Sequence, residues 1–278
     1  GTTWLAERLG DPSLRILDCS WYLPEQARDA RAEFEAAHIP GAAFFDLDDI
    51  RDKASPFANM LPGPDEFAAK VGALGIANDT PVVIYDSSYV SARVWWMFRI
   101  MGHDDVRILD GGWGLWKSEA RPVAAGPARH APRKFSARLR PDLLAGLDDV
   151  RAAARTRSAQ LVDARTAQRF TAEQPSGYPG IPGGHIPGSR NIPWSTLQDS
   201  RTRAYLPLDQ LSRAFAAAGI DVDKPVIATC GSGVTACMLA LSLHRMGKDR
   251  WRVYDGSWHE WAQQPDTPKA TGPSVPKG

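Results

Sequence analysis

PVIATCGSGVTACMLALSLHRMG, residues 225–247, opens with a short apolar run at 226–228 and reaches Thr229 and Cys230 at its end. A loop with two glycines, Gly231 and Gly233, comes next, and the apolar-rich segment 234–246 is predicted to be a helix that stops at Gly247. Strand, tight loop and helix make the unit from which parallel α/β sheets are built. The same order places a thiol where a helix begins. The first N–H groups of a helix have no internal partners, and the helix dipole favours negative charge beside them. A thiolate on Cys230, or a persulfide anion built on it, is stabilised in such a nest. The expected cradle is Gly231, Ser232, Gly233, Val234, Thr235 and Ala236.

Working outward, the stretch has a twin. VVIYDSSYVSA at 82–92 aligns without a gap on VIATCGSGVTA at 226–236. Four further blocks recur in the same order. Leu17-Asp18 matches Val162-Asp163, and His38-Ile39-Pro40-Gly41 matches His185-Ile186-Pro187-Gly188. Gly75-Ile76 with Asp79 matches Gly219-Ile220 with Asp223, and Asp110-Gly111-Gly112-Trp113 matches Asp255-Gly256-Ser257-Trp258. The offsets lie between 144 and 147 residues, so the chain is a tandem duplication. Each copy alternates short apolar runs (14–18, 81–85 and 106–109; then 161–164, 226–229 and 251–254) with amphipathic helices (64–74 and 91–101; then 208–218 and 234–246). That alternation predicts two parallel sheets covered by helices on both faces. Domains are expected at 1–122 and 144–278. The Pro-, Ala- and Arg-rich stretch between them, 123–143, reads as a linker, and the tail at 263–278 as an extended or mobile segment.

The duplication supplies an internal control. Features in both copies read as scaffold: the two HIPG elements, with His38 and His185, and the DGG-W and DGS-W turns, each with a buried Trp. The copies differ where the chemistry would be. Cys230 is matched by Asp86, and Gly231-Ser232-Gly233 by Ser87-Ser88-Tyr89. Asp86 cannot act as a sulfur nucleophile, and losing two glycines removes backbone freedom. The second copy is therefore expected to be catalytic and the first silent. Cys237, inside the predicted helix, and Cys19, just past a strand, read as small core residues.

Composition excludes other classes. The 278 residues carry a net charge of +1, with 43% hydrophobic and 23% charged residues and no long basic run. Nothing there points to nucleic-acid or membrane partners. No apolar run is long enough to cross a bilayer, and GTTWLAERLG at the start carries no signal-peptide pattern. Three cysteines are too few for a disulfide framework, which suits a reducing, cytoplasmic setting. No His/Cys group has zinc-ligand spacing, so no metal or other cofactor is expected.

CGSGVTA at 230–236, DGSWHEW at 255–261, GHIPG at 184–188, SWYLP at 20–24 and RVWWMF at 93–98 together resemble the two-domain, tandem rhodanese-like sulfurtransferases, and most of all the 3-mercaptopyruvate sulfurtransferases. The resemblance covers nearly the whole chain. It implies two rhodanese-like domains with the active site in the cleft between them. It also implies a ping-pong reaction, in which Cys230 takes a sulfane sulfur from a small-molecule donor and passes it to a thiol, a thioredoxin-like protein or cyanide. Thiosulfate-preferring relatives carry cations directly after the cysteine. Here Gly231 and Ser232 are neutral, and Ser232 could hydrogen-bond a donor's carbonyl or thiol, which favours mercaptopyruvate. Cys-based phosphatases of related fold need an Arg six residues after the cysteine, where this chain has Ala236.

The resemblance further implies that Arg169 in DARTAQRF binds the donor carboxylate, with Arg165 left to structural hydrogen bonds. A second family Arg, nine residues on, is replaced by Tyr178, which offers a hydrogen bond without charge. Of the family's first-domain Asp and His, proposed to form a relay with the loop Ser, the Asp is matched by Asp48 and the His by Asn59. Asn cannot shuttle a proton, so Ser232 would act through hydrogen bonding alone. The alternatives are a thiosulfate sulfurtransferase and a non-catalytic persulfide-binding module. Keeping Cys230 and both glycines speaks against the latter.

Overall fold

The computed structural model describes residues 1–127 and 130–274, and the chain divides into two units. Unit 1 comprises Gly1–Lys53, Leu61–Arg140 and Arg201–Tyr205; unit 2 comprises Ala54–Met60, Pro141–Ser200 and Leu206–Gly278.

Unit 1 contains α1 (Thr2–Ala6), β1 (Arg15–Asp18), α2 (Ala30–Ala36), β2 (Ala42–Phe44), α3 (Pro64–Ala73), β3 (Val82–Tyr85), α4 (Ser91–Ile100), β4 (Val106–Ile108) and α5 (Gly112–Ser118). Its four strands are all parallel, in the order β2-β1-β3-β4. Unit 2 contains β5 (Leu144–Ala145), α6 (Leu147–Thr156), β6 (Gln160–Asp163), α7 (Ala167–Thr171), β7 (Arg190–Asn191), α8 (Leu208–Ala217), β8 (Val226–Thr229), α9 (Ala236–Arg245), β9 (Trp251–Tyr254) and α10 (Ser257–Trp261). Its sheet, also parallel, runs β5-β9-β8-β6-β7, the order of unit 1 with one extra edge strand, β5.

Both faces of each sheet are covered, which is why the central strands are apolar throughout rather than alternating. In unit 1, Ile16, Val83 and Tyr85 pack with Leu5, Phe34, Trp113 and Trp116. On the α3/α4 side, Phe67 meets Phe98 edge-on at 5.3 Å. In unit 2, Leu161, Ile227 and Tyr254 pack with Val150, Trp258 and Trp261. The paired histidines act as scaffold, in agreement with the sequence reading. His38 stacks on Phe34 at 4.2 Å and His185 on Phe170 at 3.8 Å, each with Nδ1 bonded to that phenylalanine's carbonyl.

One expectation needs correcting. The helix after Cys230 starts at Ala236, not at 234. Gly233 takes φ +74, and the first bonds, from Cys237 N–H to the Val234 carbonyl and from Met238 N–H to the Thr235 carbonyl, span only three residues. The chain therefore curls once around the cysteine before the α-helix begins. The stretch after unit 1's last helix is laid along that unit by backbone bonds. Ala124 pairs with His38, Arg133 N–H reaches the Gly72 carbonyl at 2.9 Å, and Arg140 N–H that of Ile100 at 2.7 Å. Positions 128–129 of that stretch lie outside the described residues. The tail is extended, one of the two forms expected of it, and is docked on unit 2 as far as Gly272. Ala270 pairs with His185, Trp261 donates to the Pro268 carbonyl, and Gly272 N–H reaches the Thr171 carbonyl. The expectation for 275–278 lies outside the described residues.

Candidate active site

Parallel open sheets present ligands beyond the carboxyl ends of their strands. Asp163 of β6 pairs with Thr229 of β8, so the segments following both strands emerge side by side. One carries Arg165 and Arg169; the other carries Cys230. Cys230 is 2% exposed, yet its loop is rich in unused donors. The N–H groups of Ser232, Val234 and Thr235 reach no acceptor among the described residues. In unit 1 the three matching N–H groups are occupied. Ser88, Val90 and Ser91 all donate to the Asp86 carboxylate, at 3.1 and 2.7 Å for the first two. Burial pushes the Asp86 carboxyl up, and those N–H bonds pull it back toward the anion. In unit 1 the loop closes on its own carboxylate; in unit 2 a cysteine stands at that position and the matching N–H groups are unused, with the backbone turning differently at Gly233, left-handed at φ +74 where its counterpart Tyr89 is not.

The other side chains of unit 2 converge on this loop. Asn59, 6% exposed and left-handed at φ +59, donates from Nδ2 to Ser232 Oγ at 3.1 Å. The Tyr178 hydroxyl sits over Gly231, where a Cβ would come within 2.9 Å of it. That approach, rather than a special φ, is what requires glycine there. Arg169 packs its guanidinium on Gly177, whose added Cβ would lie 3.2 Å from Cζ. It is half-buried and has no ion-pair partner among the described residues. Arg165 is instead buried against Asp163 at 2.6 Å and also donates to the Gly184 carbonyl, a structural pair as expected. Asp48 belongs to unit 1. It is exposed, accepts from Trp21 Nε1 at 2.9 Å and pairs with Arg51.

Two residues escaped the sequence reading. Ser257, left-handed at φ +50, accepts from the N–H groups of Cys230 (3.0 Å) and Gly233 (3.1 Å) and donates to the Tyr254 carbonyl (2.8 Å). Its oxygen is 3.9 Å from Cys230 Sγ. His259 donates its backbone N–H to the Gly231 carbonyl and accepts the Ala58 N–H at Nδ1. Its ring stacks on Tyr178 at 4.4 Å and 7°. The repeat itself held the signal: these positions are Gly112 and Gly114 in the first copy. Cys19 and Cys237 are buried and donate Sγ–H to the carbonyls of Tyr85 and Gly233, as core residues do.

Cys230 thus stands at the carboxyl edge of a parallel sheet, in a loop with unused N–H donors. A family model for the rhodanese-like domain matches residues 1–119 and 146–264. The chain is 46% identical to the 3-mercaptopyruvate sulfurtransferase of Rattus norvegicus over 93% of its own length and 89% of that protein's. It is 44% identical to the thiosulfate sulfurtransferase of Bos taurus over 100% and 95% of the two chains. The crystal structure of SseA from Escherichia coli, described with the 3-mercaptopyruvate sulfotransferases, superposes with a TM-score of 0.86 at 36% identity, covering 93% of this chain and 97% of that one. The chain belongs to the rhodanese-like family, as a tandem-domain sulfurtransferase.

Proposed function

We propose that the chain transfers sulfur from 3-mercaptopyruvate through a persulfide on Cys230, with residues 144–278 as the catalytic domain and 1–122 as its silent copy. The observation that carries this reading is the pair of aligned loops, with the N–H groups that hold a carboxylate in unit 1 left unused beside Cys230 in unit 2. An Asp carboxylate oxygen lies two bonds beyond Cβ, as does the outer sulfur of a cysteine persulfide. The donors that hold Asp86 are those of Ser88, Val90 and Ser91. Their counterparts Ser232, Val234 and Thr235, with Gly231, Gly233 and Ala236 shaping the loop, would hold the terminal sulfur.

In the first half-reaction the Cys230 thiolate attacks the donor sulfur. The donor's C–S bond breaks, and its electron pair passes into the pyruvate enolate. The proton from the donor thiol ends on carbon, giving pyruvate and a Cys230 persulfide anion. In the second half-reaction an acceptor thiolate attacks the outer sulfur and releases the Cys230 thiolate. A small thiol or a thioredoxin-like protein would serve as acceptor. Arg169, a half-buried cation without an internal carboxylate, supports binding of the donor carboxylate. Ser232 contributes a hydroxyl, and Asn59 orients it. Asp48, held by Trp21 and Arg51, is read as a surface carboxylate. Neutral Gly231 and Ser232 favour mercaptopyruvate over dianionic thiosulfate.

No helix among the described residues is long and apolar enough to cross a membrane. A cytoplasmic setting is part of the proposal, and a related sulfurtransferase of Arabidopsis thaliana is mitochondrial. The test is mass spectrometry after incubation with 3-mercaptopyruvate: one sulfur mass is gained, and Cys230→Ser abolishes both the gain and turnover. A Cys230→Ser variant that still transfers sulfur at the wild-type rate, or a higher kcat/KM for thiosulfate, would count against the reading.

A further inference from the structure

We infer that Tyr178 is a catalytic and specificity-determining residue whose hydroxyl donates a hydrogen bond to the carbonyl oxygen of a 2-oxo donor and to the enolate oxygen formed as the C–S bond breaks. The inference rests on the mercaptopyruvate reading above and names the group that recognises the donor's oxo function.

Four observations carry it. The phenol is fixed in place. Its ring lies parallel to His259 at 4.4 Å, and His259 is held by Ala58 N–H at Nδ1, by its own N–H on Gly231 and by the edge of Phe57 at 6.0 Å. The Tyr178 backbone N–H donates to the buried Ser176 hydroxyl at 3.1 Å. Second, the hydroxyl lies on the cysteine loop, over Gly231, with Cys230 near enough for its charge to act on the phenol.

Third, the hydrogen bonds around it run in one direction. Asn59 Nδ2 can only donate, so Ser232 Oγ accepts. Ser232 Oγ, accepting from Asn59, keeps its own proton to donate, and the phenol O–H over Gly231 is a second donor at the same loop. Burial pushes the phenol up to about 12, against the pull of the Ser232 hydrogen bond, so it stays protonated at neutral pH. Fourth, the Arg169 guanidinium rests on Gly177, the residue before Tyr178. The guanidinium thus packs on the turn that carries Tyr178, near enough for its charge to act on the phenol, and a 2-oxo acid carries its carboxylate and carbonyl on adjacent carbons. A thiosulfate donor leaves as sulfite and generates no enolate, so Tyr178 discriminates by reaction type as well as by charge.

Tyr178→Phe keeps the ring and its stack on His259 and removes only the oxygen. Loss of one donor to a developing oxyanion typically costs roughly 10²-fold or more in kcat. We expect a fall of that order with 3-mercaptopyruvate, while transfer from thiosulfate changes less than about threefold. Oxalate, a planar mimic of pyruvate enolate, should inhibit the variant at roughly tenfold higher concentration, the scale of one hydrogen bond to a charged group. Equal losses with both donors, or undiminished mercaptopyruvate turnover with unchanged oxalate inhibition, would overturn the inference. Wild-type protein that forms no persulfide from mercaptopyruvate at all would overturn the donor reading itself, an outcome seen before any variant is compared.

Discussion

Ser257→Ala should destabilise unit 2 out of proportion to the one atom removed. Ser257 Oγ accepts two N–H groups, from Cys230 at 3.0 Å and Gly233 at 3.1 Å, and all three residues are buried. A buried donor left without an acceptor costs about 1–3 kcal/mol, so two cost about 2–4 kcal/mol after partial relaxation. Alanine keeps the left-handed backbone at φ +50 and its strain of about 1–2 kcal/mol, so nothing offsets the loss. Ser257→Gly forfeits the same acceptor but relieves that strain, and should be about 1 kcal/mol more stable than the alanine variant. The first copy shows why the serine belongs to one copy only. A Cβ at Gly112 would lie 2.5 Å from the Asp86 carbonyl oxygen, and the Asp86 carboxylate already satisfies that loop. Urea denaturation followed by tryptophan fluorescence gives both differences, and the rate of Cys230 persulfide formation should fall with the alanine variant because the loop loses its anchor. An alanine variant within about 0.5 kcal/mol of wild type, the range of an inert surface change, would refute the reasoning. So would a glycine variant less stable than the alanine one.

Two further outcomes follow from the geometry. Arg169→Gln should raise KM for 3-mercaptopyruvate by roughly 10- to 100-fold with kcat little changed, because a charged hydrogen bond to a carboxylate is worth about 1.5–3 kcal/mol; steady-state kinetics decide it. Burial pushes the Asp18 carboxyl up to about 6 from its ordinary 3.8, against the pull of hydrogen bonds from Ser20. Between those values the folded chain holds a proton that the unfolded chain has released, so this group's contribution weakens as pH rises from about 4 to 6. Asp18→Asn removes that loss. Its stability relative to wild type, measured by denaturation at pH 4 and pH 7, should improve on the order of 3 kcal/mol across the window.

The repeat fixed most of the fold in advance, because each copy writes the same apolar runs at the same spacing and buried parallel strands need nothing else. β8 and β9 fall on the expected residues, and α3, α4 and α8 end one residue earlier than expected. Cys230 stood out for the same reason: a duplicated scaffold shows where the copies differ, and at the strand-end loop Cys230 is matched by Asp86. The start of α9 did not, because apolar side chains continue into the turn and only the left-handed Gly233 separates turn from helix.

What tertiary structure decided is which distant residues share the loop. Asn59, Tyr178, Ser257 and His259 are far apart in sequence, and no periodicity links them. They meet because parallel strands deliver their following loops to one edge of the sheet, and because the 54–60 segment packs with unit 2. Local patterns can specify a strand, a turn or a thiol at a helix mouth. Hydrogen bonds from Asn59 to Ser232, and from Cys230 and Gly233 to Ser257, exist only once the sheet has set the distances between them.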